Sequence, residues 1–461
     1  MNLATMSQPA FAGVVESLPS QFYVDRQNKT ESNARTYARR FQMAIRRAQG
    51  LYLTDTDGRV YMDCLCGAGT LALGHNHPAI VEALREHLTQ GYPLHTLDIT
   101  TPVKDAFVEE LFSTLPASFA KSAKVHFCSP SGADAVEAAL KLVKTATGRA
   151  GIVSFTGAYH GQTHGALALM GDNGPKVPGL MPGAVFQPYP NSYRCPMGNK
   201  DCGACGGKCC SDFIEDQLTG SHCGVQKPAG MIMELVQGEG GVVPAPAEWV
   251  RAMRRFTAEQ GIPLIFDEVQ TGWGRTGKMY AFEHAGVTPD VLVLSKAIGG
   301  SLPLAVIVYR DELDVWKPGA HTGTFRGNQL AMAAGLATMR YFRENDLLEN
   351  VERASARFFE RLEPLRSRHA FVGDIRGRGL MIGIQIVNPL ESDRRGRAVP
   401  DGKLAEKIQM ECFSRGLIVE RGGTDDSVFR LLPPLTITRD QVDTVCDIIT
   451  EAFGQQQCLS N

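Results

Sequence analysis

Between Val125 and Val308, short apolar runs of β character alternate with helical patterns, and this alternation constrains the fold of the 461-residue chain more than any other feature. The runs are KVHFC (124–128), GIVSF (151–155), GMIMELV (230–236), PLIFDEV (263–269), DVLVLS (290–295) and LAVIVYR (304–310). Most are continuously apolar rather than alternating in and out, which suits parallel strands covered on both faces. Between them, Gly132–Thr147 and Ala247–Gln260 place apolar residues three and four apart, the stripe of an amphipathic helix. Strand–helix alternation predicts an α/β fold, with a mainly parallel open sheet and right-handed crossovers.

The C-terminal part reads as a smaller α+β unit. Helical segments near 328–344 and 348–368 lead into GDIRGRGLMIGIQIV (373–387), an alternating strand pattern with Gly-marked turns. A helix (401–415), the strand VFRLLPPLTI (428–437) and a last helix (439–453) follow. LYLTDTDGRVYMDCL (51–65) is a hairpin with a DG turn, expected to pack with that unit. The predicted division is an N-terminal segment with part of the small domain (1–90), a large domain (91–345) with a Cys-rich insertion (194–223), and a C-terminal small domain (346–461).

A formal net charge of -2 leaves no basic field to favour nucleic acid or an anionic membrane. No apolar run reaches the roughly 18–20 residues a membrane span requires. The first residues, MNLATMSQPAFAGVVESLPSQF, lack a basic stretch followed by an apolar one, so a cytoplasmic protein is expected.

Chemistry concentrates at the ends of the apolar runs. Asp267 ends one and Lys296 the next, and in open parallel sheets ligands bind outside the carboxyl ends of strands. Pyridoxal-phosphate (PLP) chemistry needs such a pair: a carboxylate to keep the pyridine nitrogen protonated and a lysine to hold the aldehyde as a Schiff base. An ordinary strand-end ion pair accounts for the same two residues equally well. In FCSPSGADAVEAALKLVK (127–144) a strand turns through Ser131, Gly132 and Ala133 into a helix, which makes either a phosphate site or a routine N-cap. In SFTGAYHGQTHGALALMG (154–171) Tyr159 is placed to stack on a flat cofactor or to cover the core. His160 and His164 lack acidic or cysteine partners at metal-ligand spacing. ELVQGEGGVVPAP (234–246) offers Glu234 and Glu239 as acid and base, or as partners of an arginine such as Arg430.

Taken in this order, these segments resemble the class III (ornithine/4-aminobutyrate-type) aminotransferases, a family of PLP fold type I. FDEVQTGWGRTG (266–277) with PDVLVLSKAIGG (289–300) is similar to that family's most specific signature, and the match runs from about Leu51 to Pro434. The resemblance implies that Lys296 holds the cofactor aldehyde and moves a proton at Cα, that Asp267 pairs with the pyridinium, and that Gln270 lies near the ring oxygen. It further implies that Tyr159 stacks on the ring and that Gly132 and Ala133 give N–H groups to the phosphate. Thr324 would reach the phosphate of a neighbouring subunit, so a homodimer with shared sites is implied. Glu239 and Arg430 would form a switch pair, with Arg430 taking the carboxylate of glutamate or 2-oxoglutarate.

CGAGTLALGHNHP (66–78), DVWKPGAHTGTFRGNQLA (314–331) and PYPNSYRCPMG (188–198) resemble a narrower group, the diaminobutyrate–2-oxoglutarate aminotransferases. Those enzymes move an amino group from L-glutamate to L-aspartate 4-semialdehyde, and versions with the YRCP-type insertion are associated with siderophore or peptide-antibiotic assembly. A same-fold transaminase for another aldehyde or a cyclic ketone, or a PLP aminomutase, is the alternative. Many ornithine-type members hold the α-carboxylate with an arginine where Gln162 stands, and Arg326 is the candidate replacement. Cys64 and Cys66 stand where that group more usually has an aromatic and a small residue, in a segment expected near the substrate entrance.

Twelve cysteines are present, and RCPMGNKDCGACGGKCCSDF (194–213) gathers five of them. Its Gly-rich run would let Cys195, Cys202, Cys205 and Cys209 converge on a structural Zn²⁺. An iron–sulfur cluster is a less favoured use of the same ligands, and a reduced surface insertion is the plain alternative.

Overall fold

All six apolar runs become strands of one sheet. The computed structural model describes residues 18–172, 174, 176–198 and 204–458. Its central seven-stranded sheet comprises β1 (Ala123–Phe127), β2 (Ile152–Phe155), β3 (Ala184–Gln187), β4 (Gly230–Glu234), β5 (Leu264–Asp267), β6 (Val291–Leu294) and β7 (Val306–Arg310). The order is β1-β7-β6-β5-β4-β2-β3. Strands β3, β2, β4, β5 and β6 pair in parallel. Strand β7 runs antiparallel to both of its neighbours. The reason is length: the link 295–305 is too short for a parallel crossover, which needs about a dozen residues or more. Strand β3 has no strong apolar signal, being only partly buried along most of its length, and the sequence patterns do not reveal it.

Both faces of the sheet are covered, as the unbroken apolar runs require. The helix Gly132–Thr147 lays Ala135, Val136, Ala139, Leu142 and Val143 against β6 and β7 and ends at Gly148 in the left-handed region. On the other face the helix Ala247–Glu259 buries Trp249, Val250, Met253 and Phe256.

The expected hairpin forms from Tyr52–Asp55 and Val60–Asp63, and Leu417–Ile418 adds to it in parallel. Early and late parts of the chain thus share one sheet. A second sheet joins Val372–Arg378, Met381–Ser392, Val428–Leu431 and Glu420–Gly422. The strand predicted to extend through 437 stops at Leu431, because Pro433 and Pro434 cannot donate to a ladder. The last helix runs from Arg439 to Cys458, beyond the end expected at 453.

The turn that carries Lys296 is clamped from behind. It forms a short 3₁₀ segment, Lys296–Gly299, packed on the helix Gln329–Glu344. A Cβ on Gly335 would come within 2.2 Å of the Ile298 carbonyl oxygen, and one on Gly300 within 2.4 Å of the Ala334 backbone. Gly335→Ala is therefore expected to cost about 2–3 kcal/mol through overpacking. The thermal midpoint should fall well below that of Gly454→Ala, whose added methyl meets nothing within 4 Å and whose backbone is not left-handed.

Candidate active site

Three neighbouring parallel strands deliver their ends to one crevice. Glu234 at the end of β4 and Asp267 at the end of β5 are register partners, and Lys296 follows β6. With Gly132, Ala133, Tyr159 and Gln270 they line a cavity of about 480 Å³. Lys296 has a φ of +53°, a left-handed conformation that aims its side chain out of the strand line. Burial holds its amine below the ordinary lysine range, with Arg430 adding to the effect while Glu239 and Asp267 oppose it. A neutral amine is what a nucleophile and base must be.

Asp267 is buried and accepts two hydrogen bonds, from His160 Nδ1 at 2.7 Å and from the Val269 amide at 3.1 Å. Burial disfavours charge on His160, but the hydrogen bond and charge of Asp267 outweigh it and raise the imidazole above its ordinary value. His160 thus gives the buried Asp267 carboxylate a side-chain partner. Sequence patterns did not reveal this role, because the partner lies 107 residues away. Glu234 accepts from the Tyr159 and Gly238 amides, yet burial pushes its carboxyl up to about 7. It fixes the backbone that presents the Tyr159 ring.

The turn through Ser131, Gly132 and Ala133 opens the helix at the cavity. Ser131 caps the helix by accepting from the Ala133 amide, and Gly132 and Ala133 both line the cavity. Asp134 would repel an anion there, but it faces away and accepts from the Ser129 amide and His321 Nε2. A Cβ on Gly161 would approach Ala133 Cβ to 2.5 Å, so the tyrosine loop and the phosphate turn are in direct contact. Cys128 lies with Asp134 and His321 in a group whose possible ligand atoms are within 4.8 Å of one another, but both Asp134 bonds already serve to anchor the loop.

Opposite the turn, Arg430 is fully buried and donates to Glu239 Oε1 at 2.9 Å and to Gln270 Oε1 at 3.4 Å. Gln270 in turn donates to the Ala68 carbonyl. Burial alone would raise the Glu239 carboxyl, but Arg430 outweighs it and holds the group below its usual range. A second carboxylate, Glu420, is the register partner of Arg430 and accepts from Tyr37 Oη at 3.0 Å and Arg40 Nη1 at 3.2 Å. No local signal marked these three residues, since the contact spans about 380 positions of chain.

Other expected residues stand elsewhere. Thr324 is exposed on a loop outside this cavity, with its carbonyl accepting from His95 Nε2 at 2.6 Å. Arg326, on the same loop, pairs with Asp98 and donates to the His321 carbonyl, also outside the cavity. Gln162 does line it. Cys64 and Cys66 are completely buried, so neither thiol lines an entrance, and only the neighbouring Ala68 carbonyl reaches Gln270. Cys195, Cys205 and Cys209 lie outside the cavity lining, and Cys202 lies outside the described residues.

These residues fit PLP. A phosphate would meet backbone N–H groups and a helix N-terminus, a pyridine nitrogen a carboxylate bonded to His160, and an aldehyde a lysine whose amine burial lowers below its ordinary range. His160→Phe removes the side-chain donor to Asp267. A bond to a charged group contributes roughly 1.5–3 kcal/mol, so PLP retention should weaken about tenfold to a hundredfold. Dialysis followed by the visible cofactor band measures this, and His160→Gln, which keeps a donor, should recover most of it.

The profile of the aminotransferase class-III family matches residues 33–453. The chain is 54% identical over 439 residues to the diaminobutyrate–2-oxoglutarate aminotransferase of Rhizobium meliloti, covering 94% of this chain and 92% of the relative. It is 48% identical to the enzyme of the same name from Haemophilus influenzae, covering 95% of each. Among solved structures, an amine transaminase from an uncultivated Pseudomonas species in its PLP-bound form superposes with a TM-score of 0.82 at 30% identity. That match covers 92% of this chain and 98% of the other.

Proposed function

The chain belongs to the class-III aminotransferases, and on that premise we propose that it moves the amino group of L-glutamate to L-aspartate 4-semialdehyde, giving L-2,4-diaminobutyrate and 2-oxoglutarate. The observation that carries this reading is the Arg430–Glu239 pair beside Lys296. A buried arginine fork suits the distal carboxylate of glutamate. With Glu239 turned aside, Arg430 receives that carboxylate; with Glu239 returned, the same place accepts a substrate with no carboxylate there. Two relatives named for diaminobutyrate and 2-oxoglutarate, each aligned over nearly the whole chain, support the substrate pair.

PLP, when bound, supplies the electron sink and the temporary carrier of the amino group. Lys296 would take a proton at the substrate Cα and return it, its amine held by burial below the ordinary lysine range. Asp267, bonded to His160, would hold positive charge at the ring nitrogen. Gly132 and Ala133 would hold the phosphate, Gln270 would lie near the ring oxygen, and Tyr159 would stack on the ring.

We further propose that two copies of the chain share their sites. Thr324 stands on a surface where Leu97, Ile99 and Phe325 are at least half exposed, and His95 joins the two loops by its bond to Thr324 and its ring contact with Phe325. Apolar side chains so exposed suit a permanent interface. Thr324 would then reach the partner's phosphate, and any substrate contact of Arg326 would be with the partner's site. No helix among the described residues is long and apolar enough to cross a membrane. We take the enzyme to work in the cytoplasm and to feed siderophore or peptide secondary-metabolite assembly.

A half-reaction screen tests the substrate. The enzyme is loaded with glutamate, which should bleach the cofactor band, and aspartate semialdehyde should restore it. Restoration by a cyclic ketone instead would overturn the assignment. Arg430→Lys loses the fork, so kcat/KM for glutamate should fall about tenfold to a hundredfold. Lys296→Ala should lose on the order of 10³-fold or more in turnover.

A further inference from the structure

The hairpin that carries Arg430 is held from outside the cavity by a segment from the other end of the chain. Its strands are Glu420–Gly422 and Val428–Leu431, with Glu420 directly opposite Arg430. Opposed residues of an antiparallel pair share a face, so the Glu420 side chain leaves the sheet on the same side as the guanidinium. Each Glu420 carboxylate oxygen has its own donor. Tyr37 Oη reaches Oε2 at 3.0 Å, and Arg40 Nη1 reaches Oε1 at 3.2 Å. Arg40 also extends Nη2 to Asp426 Oδ2 at 3.1 Å, in the turn that joins the two strands. One arginine thus ties the base of the hairpin to its tip.

Both members of the switch pair depend on where this hairpin lies. Arg430 grows from its second strand and packs on its first, since a Cβ on Gly422 would meet Arg430 Nη1 at 2.8 Å. Glu239 hangs on its tip, where the Gly423 amide donates to the Glu239 carbonyl at 2.7 Å. A Cβ on Gly241 would meet Val428 Cγ2 at 2.8 Å, so the loop behind Glu239 lies against the hairpin. Any displacement of the hairpin therefore moves cation and anion together.

Apolar burial seats the clamp. Phe41, next after Arg40, is buried with Leu53, Tyr61 and Ile418, and its ring lies 5.2 Å from that of Phe413. Tyr37 and Arg40 are three apart in the single helical turn Tyr37–Arg40, which sets both side chains on one side. Neither lines the cavity, so both act on a substrate only through Glu420 and the hairpin. The Glu420 side chain is 4% exposed against 42% for Glu239, so it stays in place when Glu239 turns aside.

We propose that Tyr37, Arg40 and Glu420 are positioning residues for the amino donor, which set the place of Arg430 and through it the affinity for L-glutamate. This rests on the reading that Arg430 receives the glutamate carboxylate.

The test reads two substrates on one form of the enzyme. PLP-loaded protein is mixed with L-glutamate or with L-2,4-diaminobutyrate, and bleaching of the cofactor band is followed against concentration in single turnover. Arg40→Met is the main variant, because that side chain is partly exposed and folding does not hang on it. Its half-saturating glutamate concentration should rise about tenfold, with the limiting rate within about twofold and diaminobutyrate unchanged. Glu420→Gln turns one accepting oxygen into a donor and should give the same split. Arg40→Lys keeps a cation that reaches one carboxylate at a time, and should recover part of the loss. Arg39→Met, whose arginine donates to Asn33 at 2.8 Å, should move neither substrate.

An unchanged glutamate response in Arg40→Met and Glu420→Gln overturns the proposal, and so does an equal loss for the two substrates, the mark of a structural role alone. Should diaminobutyrate not bleach the wild type, the substrate assignment falls, and the split between half-saturation and limiting rate for glutamate still decides the clamp. Arg430→Lys separates the two levels. If it leaves glutamate binding intact, the reading of Arg430 fails and takes the clamp with it; if it weakens glutamate while the clamp variants do not, the clamp alone fails.

Discussion

A carboxylate at the floor of a dry cavity must be compensated or it protonates, and the site is arranged around that constraint. Three carboxylates, Glu234, Asp267 and Glu239, converge on Lys296, and each meets the constraint differently. Asp267 has a histidine and an amide, Glu239 has an arginine, and Glu234 has only amides. The outcome follows the strength of compensation: Glu239 is held acidic, whereas Glu234 is pushed up to about 7. Asp267 and Glu239 each have an ionisable partner aimed at them, His160 and Arg430. Glu234 is left as a hydrogen-bond acceptor that shapes backbone, a task either protonation state can perform.

Much of this was legible in the sequence, and the reasons are local. Continuous apolar runs ending in Asp267 and before Lys296 marked β5 and β6, and the helix after Ser131 begins and ends where its apolar spacing and Gly148 place it. Local pattern could not show that β7 returns antiparallel, since that depends on link length, nor that β3 exists, since it is short and half exposed. His160 read as a loop histidine because its partner is on another strand. Tyr37, Arg40 and Glu420 were invisible for the same reason, joined only once the N-terminal segment lies beside Val428–Leu431. Sequence patterns thus reveal residues whose role depends on their own strand or helix, and miss those that act across the fold.

One loop carries two expected site residues away from the cavity of its own chain. Thr324 and Arg326 are tied to the segment 95–98, and His321 ties the same loop to Asp134 at the phosphate helix. The loop is therefore braced by the helix Gly132–Thr147 of its own chain. The bracing is mechanical and holds whether or not a partner is present.

Arg430 and Glu239 are unequal members of their pair. The cation is wholly enclosed and the anion is not, so the side chain that is costly to desolvate stays fixed while the solvated one is free to rotate. Glu420 lies across the strand pair and continues to act on the Arg430 charge whatever Glu239 does. On the proposed function, exchange between the two substrates would then be a rotamer event at the cavity wall, with Glu420 still beside the Arg430 charge. If the chain takes the two substrates proposed for it, the exchange at this wall would proceed on the timescale of a side-chain rotation.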